Sequence, residues 1–265
     1  MGALLKIALA QVQAEHEPAA NLIKATEFAR RAADRGSGLI VFPEMFMALP
    51  TPKRPPALIA MEDGGAFARG LTDLAVETGL FLMSGCWEVG PDRRRAYNTA
   101  RVISPAGETV ATYRKLHLFQ ALNLCEPETT VPGDTLPPVV EISGVQVGLA
   151  ICYDLRFPEL FRHLAMQGAE LVVLPSAWYQ GPMKETHWKT LMRARSIENT
   201  FYMAGCDLVG PAFCGCSAVF DPFGVLLSGA GETETLLEAV VDTERIHEVR
   251  CKLPSLSQRR RDLLF

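Results

Sequence analysis

Residues Val145–Glu159 read VQVGLAICYDLRFPE, and the fold turns on how that stretch is parsed. The run Val145–Ile151 is apolar and small throughout, the pattern of a strand buried on both faces. Cys152 stands where the strand must stop. Pro158 suits the first turn of a helix, and Leu160, Phe161, Leu164 and Ala165 continue at helical spacing. A thiol on such a strand-to-helix turn is held at the rim of a sheet, with the following backbone N–H groups aimed at whatever it attacks. A single cysteine is more often a small core hydrophobe. The reactive reading therefore needs other groups converging on the same rim.

Outward from this elbow, strand and helix signals alternate. Leu4–Gln11 reads as a strand, Asn21–Arg35 as an amphipathic helix closed by Gly36, and Leu39–Phe42 as a buried strand broken by Pro43. A Pro-rich loop spans Leu49–Pro56, and a helix is expected from about Ala66 to Thr78. Strands follow at Phe81–Trp87, Asn98–Ser104 and Thr109–Tyr113. The segment Arg114–Pro138 lacks periodicity, and irregular loops of that length usually carry function. Beyond the elbow come a strand at Leu171–Leu174, a loop to about Glu185, and a helix at Thr186–Glu198. Strands at Phe201–Cys206, Ser217–Phe220 and Leu236–Val241 and a helix at Thr243–Cys251 complete the pattern.

The two halves look alike. Lys6–Phe46 runs strand, helix, Gly turn and LIVFPEMF, whereas Val145–Tyr179 runs strand, helix, Gly168 and LVVLPSAWY. Asn98–Thr112, with its Pro-Ala-Gly turn, parallels Cys216–Ser228 with its Pro-Phe-Gly turn. Two such α/β halves stacked sheet on sheet give a four-layer α-β-β-α sandwich with internal pseudo-duplication, in one domain over residues 1–265.

Composition narrows the class. A net charge of -4 and only short basic runs, Arg93–Arg95 and Arg259–Arg261, argue against a nucleic-acid partner. No apolar run reaches bilayer length, and Lys6 interrupts the one N-terminal signal candidate, so no membrane association and a cytoplasmic location are expected. The seven cysteines show no CxxC pair and no zinc-type spacing, so neither a disulfide framework nor a metal site is expected. Cys214 and Cys216 are expected to alternate along a strand.

Sites in open α/β sheets form beyond the carboxyl ends of strands. Three such ends carry Glu44, Lys115 and Cys152. Alone, the Glu and the Lys read as solvated loop residues. Together the set is coherent: a nucleophile, a group to take its proton, and a fixed cation for an oxyanion.

On these residues the chain resembles the carbon–nitrogen hydrolase (nitrilase) superfamily. Glu44 in FPEMF, Lys115 in YRKLHLF and Cys152 in ICYDLRFPE look like its Glu-Lys-Cys triad. The likeness extends to Pro132–Asp134, to His187–Asn199 and to the LPSLSQRRRDL tail. It implies an αββα sandwich, no metal or organic cofactor, and a homodimer or higher homo-oligomer, with the last dozen or so residues at a subunit contact. Glu126 holds the place of the second glutamate many members carry; Glu128 keeps the spacing less well.

The implied reaction is amide hydrolysis through a thioester on Cys152, with Glu44 as acid and base. Lys115 and the backbone N–H of Tyr153 would receive the oxyanion, and Glu126 would hold Lys115. Tyr153-Asp154 after the cysteine, where nitrile-cleaving members usually show Trp-Glu, favours an amidase. CYDLRFPE with RKLHLF is most similar to the omega-amidase and deaminated-glutathione amidase branch, whose substrates are small amides bearing a carboxylate. Arg156 is a candidate clamp for that carboxylate, the alternative being an internal pair with Asp154 or Glu159. Trp178 is a candidate wall of the pocket. Gln120–Leu124 departs from the branch pattern after HLF and is expected to line the pocket mouth. His117 is expected to be a structural hydrogen-bonder, and His187 to lie outside the chemistry. The other readings are a nitrilase or N-carbamoyl hydrolase with the same triad, an acyltransferase using the same thioester, and a non-catalytic scaffold.

Overall fold

A computed structural model describes residues 2–121, 123–260 and 262. Its first half builds β1 (Leu4–Gln11), α1 (Pro18–Asp34), β2 (Leu39–Val41), α2 (Pro56–Thr78), β3 (Phe81–Val89), β4 (Ala96–Ile103) and β5 (Thr109–Arg114). A short hairpin of β6 (Gln120–Ala121) and β7 (Leu124–Cys125) leads into a 3₁₀ turn at Glu126–Glu128. The second half builds β8 (Val139–Ile142), β9 (Val145–Leu149), α3 (Pro158–Met166), β10 (Leu171–Ser176), α4 (Lys184–Asn199), β11 (Tyr202–Asp207), β12 (Ala218–Phe220) and β13 (Leu226–Gly229). Then come β14 (Thr235–Asp242) and α5 (Thr243–Lys252).

The duplication is visible in the strand order. One six-stranded sheet runs β14-β1-β2-β3-β4-β5 and the other β8-β9-β10-β11-β12-β13. In each, three parallel strands are followed by two antiparallel ones, and an antiparallel strand covers the other side. Along β1, Leu5, Ile7 and Leu9 join a core shared with Val147, Leu149 and Val173 of the second sheet, whereas Ala8 and Ala10 pack against Ala25 and Ala29 of α1. Burial on both faces is why the parallel strands read as unbroken apolar runs. The Cys206 thiol stitches the layers by donating to the carbonyls of Ala10 and Val41, at 3.4 and 3.3 Å.

Three local expectations change. Helix α2 starts at Pro56 rather than near Ala66, because Pro55-Pro56 preset its first turn and Gly64 and Gly65 lie inside it. Each such glycine costs about 1 kcal/mol relative to Ala, and buried Ala57, Ile59 and Phe67 offset this. Helix α4 starts at Lys184, ahead of Thr186. Cys214-Gly215-Cys216 forms no strand: Gly215 and Cys216 have φ of 65° and 55°, a turn that enters β12 at Ala218.

Candidate active site

Each sequence-derived group reaches the site from its own strand end. The chain leaves β2 through Phe42-Pro43 and turns at Met45 with φ 57°, which aims Glu44 into the space between the sheets. Gly85 on β3 lets this turn pass; a Cβ there would lie 2.4 Å from the Pro43 carbonyl oxygen and 2.7 Å from Glu44 Cα. Lys115 follows β5, with its N–H bonded to Asn98 O at 2.9 Å and its carbonyl accepting from Gly133 of the Pro-Gly-Asp step at 2.8 Å. Glu126 comes from the 3₁₀ turn.

At the elbow, Cys152 has φ 43° and opens a 3₁₀ turn, Cys152–Arg156, before α3. The buried carboxylate of Asp154 holds this turn. Its Oδ2 accepts from Ile151 N at 3.0 Å and Tyr113 Oη at 2.8 Å, and its Oδ1 accepts from His117 N at 3.2 Å and meets His117 Nδ1 at 2.7 Å. Arg195 braces the same turn, its guanidinium donating twice to Leu155 O at 3.1 and 2.8 Å. His117, stacked on Phe157, is thus a structural partner.

The structure brings Glu44, Lys115, Glu126 and Cys152 together. Lys115 Nζ donates to Glu44 Oε1 at 2.8 Å and to Glu126 Oε2 and Oε1 at 2.8 and 3.1 Å. Asn98, in the middle of β4, bridges the two acids, with its Nδ2 at 2.7 Å from Glu44 Oε1 and 3.1 Å from Glu126 Oε1. Ala177 N donates to Glu44 Oε2 and Phe119 N to Glu126 Oε2, both at 2.7 Å. The Cys152 thiol lines the same cavity as Glu44, Lys115 and Ala177. Burial pushes that thiol well above its ordinary pKa and the Glu44 charge pushes it further, against a smaller opposing pull from Lys115. Burial disfavours the Lys115 charge too, but Glu126 and Glu44 outweigh it and hold the ammonium firmly protonated. The resting site is therefore a neutral thiol beside a Lys–diglutamate network. Glu128 is exposed.

These groups line a cavity of about 180 Å³. Tyr153, Trp178, Phe119, Tyr179 and Leu124 supply its walls. Trp178 is fixed at both ends, its N–H donating to Asp207 Oδ1 at 2.7 Å and its Nε1 to Lys184 O at 2.9 Å. Arg156 is not among the lining residues. Its guanidinium lies 5.0 Å from the Trp178 ring and 3.4 Å from His187 Nδ1. Asn98, Asp154 and Lys184 are site residues that sequence reasoning missed. Only Lys184, two residues ahead of the expected helix and flanked by Gly-Pro-Met, stood near a readable signal.

The chain matches the model of the family described as carbon-nitrogen hydrolase over residues 6–251. It belongs to the carbon–nitrogen hydrolase family. Deaminated glutathione amidase of Escherichia coli O157:H7 is 46% identical over 166 residues, a segment covering 63% of each chain. Omega-amidase NIT2 of Mus musculus is 33% identical over 270 residues, 97% of this chain and 96% of that one. Among solved structures, a mutant of the amidase from Nesterenkonia sp. AN1 superposes with a TM-score of 0.86 at 30% identity, covering 99% of this chain and 96% of that one. That structure shows covalent addition of the acetamide moiety of fluoroacetamide at the active-site cysteine. The chain is thus a carbon–nitrogen hydrolase of the nitrilase superfamily, in the branch of the omega-amidases, with that superfamily's α-β-β-α sandwich. Among the described residues, no helix of this hydrolase is long and apolar enough to cross a membrane.

Proposed function

We propose that this hydrolase cleaves small linear amides through a thioester on Cys152. The observation that carries the reading is the Lys115 ammonium held 2.8 Å from both Glu44 and Glu126 beside a buried thiol. Because the thiol rests neutral, attack needs a base, and Glu44, on the same cavity and the charge that acts most strongly on that thiol, is the group to take its proton. Sulfur adds to the amide carbon as the thiol proton passes to Glu44. Lys115 has three N–H donors; one serves Glu44 and one is shared by the Glu126 oxygens, which leaves the third for the oxyanion. The Tyr153 N–H is the second donor, and preorganised donors of this kind contribute about 3 kcal/mol each. Glu44 returns the proton to the leaving nitrogen, the C–N bond breaks, and ammonia or an amine departs. Water then gives a proton to Glu44 and attacks the thioester; the acid leaves and the thiol regains its proton.

The cavity's size supports a small substrate, and relatives named omega-amidase and deaminated glutathione amidase support an amide that carries a carboxylate. Trp178 and Tyr153 are proposed to wall the acyl group, with Arg156 acting from behind Trp178. Residues 1–265 as one hydrolase domain, a cytoplasmic setting and a homodimer or larger assembly belong to the same proposal, the last checked by light scattering. The central test is ammonia release across a panel of small amides, with mass spectrometry for an acyl adduct on the Cys152 peptide. Turnover that Cys152→Ala abolishes supports the reading. No ammonia from any amide, or release undiminished in C152A, refutes it.

A further inference from the structure

The cavity contains two lysines, and they are in opposite situations. Lys115 is enclosed by two carboxylates. Lys184 is only 6% exposed and lines the cavity, yet among the described residues its Nζ makes no salt bridge and no hydrogen bond. Instead the ammonium lies 4.3 Å from the Trp178 ring centroid and 5.3 Å from that of Phe119, both of them cavity walls. A cation over two aromatic faces keeps some stabilisation on leaving water, but far less than a carboxylate partner gives.

The backbone holds this arrangement at a cost. Gly181 has φ 150° and Met183, a non-glycine residue, has φ 61°, so Lys184 enters as the first residue of α4 without any side-chain cap. Its carbonyl is tied to Trp178 Nε1 at 2.9 Å and its N–H to Gly181 O at 3.1 Å. Left-handed backbone at a residue such as Met183 persists where surrounding structure enforces it, often at functional positions. Burial lowers the Lys184 pKa, and negative charge on the Cys152 sulfur, present only in the thiolate, would act in the opposite sense, as an incoming anion would.

We propose that Lys184 is the specificity-determining cation of this site, receiving the distal carboxylate of the amide's acyl group while Cys152 attacks its other end. This rests on the amidase reading above and adds to it the residue that selects the substrate's charge. The acyl chain would lie between Trp178 and Phe119, its carboxylate giving Lys184 the anionic partner that no described residue supplies. Arg156, on the same indole but outside the lining, would add field without contact.

Two ratios test it in Lys184→Met, which keeps the length and apolar stem of the side chain. The first is kcat/KM for succinamate over that for its neutral isostere 4-oxopentanamide. The second needs no turnover: the rate of Cys152 alkylation by iodoacetate over that by iodoacetamide, a comparison that cancels any change in the thiol itself. Both ratios are expected to fall tenfold or more in K184M, the first mainly through KM, and Lys184→Arg should restore part of each. A fall of less than threefold in either ratio overturns the proposal. Wild-type protein that hydrolyses neither amide but shows the alkylation effect would sink the amidase reading and leave the anion site standing.

Discussion

Replacing Asp154 by Asn tests how the nucleophile is held. The buried carboxylate serves two pairs of donors, Ile151 N with Tyr113 Oη, and His117 N with the His117 ring. An amide offers one oxygen, so one pair must face NH₂. Tyr113 can rotate its hydroxyl to accept and the imidazole can exchange tautomer, but a backbone N–H can do neither. Either orientation therefore strands one backbone donor, at about 1–3 kcal/mol, and weakens the surviving bonds from charged to neutral strength, about 1 kcal/mol each. The sum is roughly 3 kcal/mol or slightly more, since His117 N is only part-buried and the amide will turn its NH₂ that way. Asp154→Ala loses both pairs and should cost more, about 5 kcal/mol. Guanidinium unfolding followed by fluorescence, compared at equal m-value, reads both. D154N should retain turnover, because the Ile151 bond that sets the elbow survives, while D154A should not. A D154N cost below about 1 kcal/mol, or D154A as active as wild type, would refute the claim that this carboxylate sets the turn.

Gly85→Ala forces a methyl against the backbone of Pro43, Glu44 and Met45 and should cost roughly 1–3 kcal/mol while abolishing ammonia release, whereas wild-type turnover in a folded G85A would contradict the packing. Glu126→Gln keeps the shape but removes one of the two charges on Lys115, so kcat/KM should fall about tenfold or more. An unchanged value would remove Glu126 from the network. Burial raises the thiols of Cys86, to about 11, and Cys214, to about 12, and raises Cys152, Cys206 and Cys216 as well. Groups raised in the fold stabilise fully below their unfolded pKa, near 8.5, and lose that contribution as pH climbs toward the folded value. Stability under reducing conditions should therefore decline from about pH 8.5 upward, by as much as ~1.4 kcal/mol per pH unit for each thiol. Cys206→Ala should flatten the slope, and a parallel slope in C206A would contradict the assignment.

The sequence showed the sandwich because parallel strands buried on both faces leave long apolar runs, and the ends of those runs pointed to Glu44, Lys115 and Cys152. What stayed hidden depends on contacts across the fold. Asn98 reads in sequence as one more polar residue of β4, and only the arrival of Glu44 and Glu126 from distant segments makes it a bridge. Asp154 reads as the first polar residue of a turn, and its four donors come from segments up to 41 residues away. Lys184 was obscured because α4 begins after a left-handed Met183 with no polar cap, so nothing marks its true start. The edge strand β13 was missed because Leu226 and Leu227 are exposed and its burial does not alternate.

The two sheets differ in how the chain completes them. Residues 139–229 supply every strand of one sheet consecutively, whereas the other waits for β14, which pairs along all of β1 from Leu4↔Asp242 to Gln11↔Thr235. During synthesis the later-made sheet can close first, while the earlier one keeps β1 with a bare hydrogen-bonding edge until residue 242 has emerged. A bare apolar edge recruits other chains, so the nascent protein is at greatest risk in its oldest segment, and a truncation before Thr235 should turn a hydrolase into an aggregate.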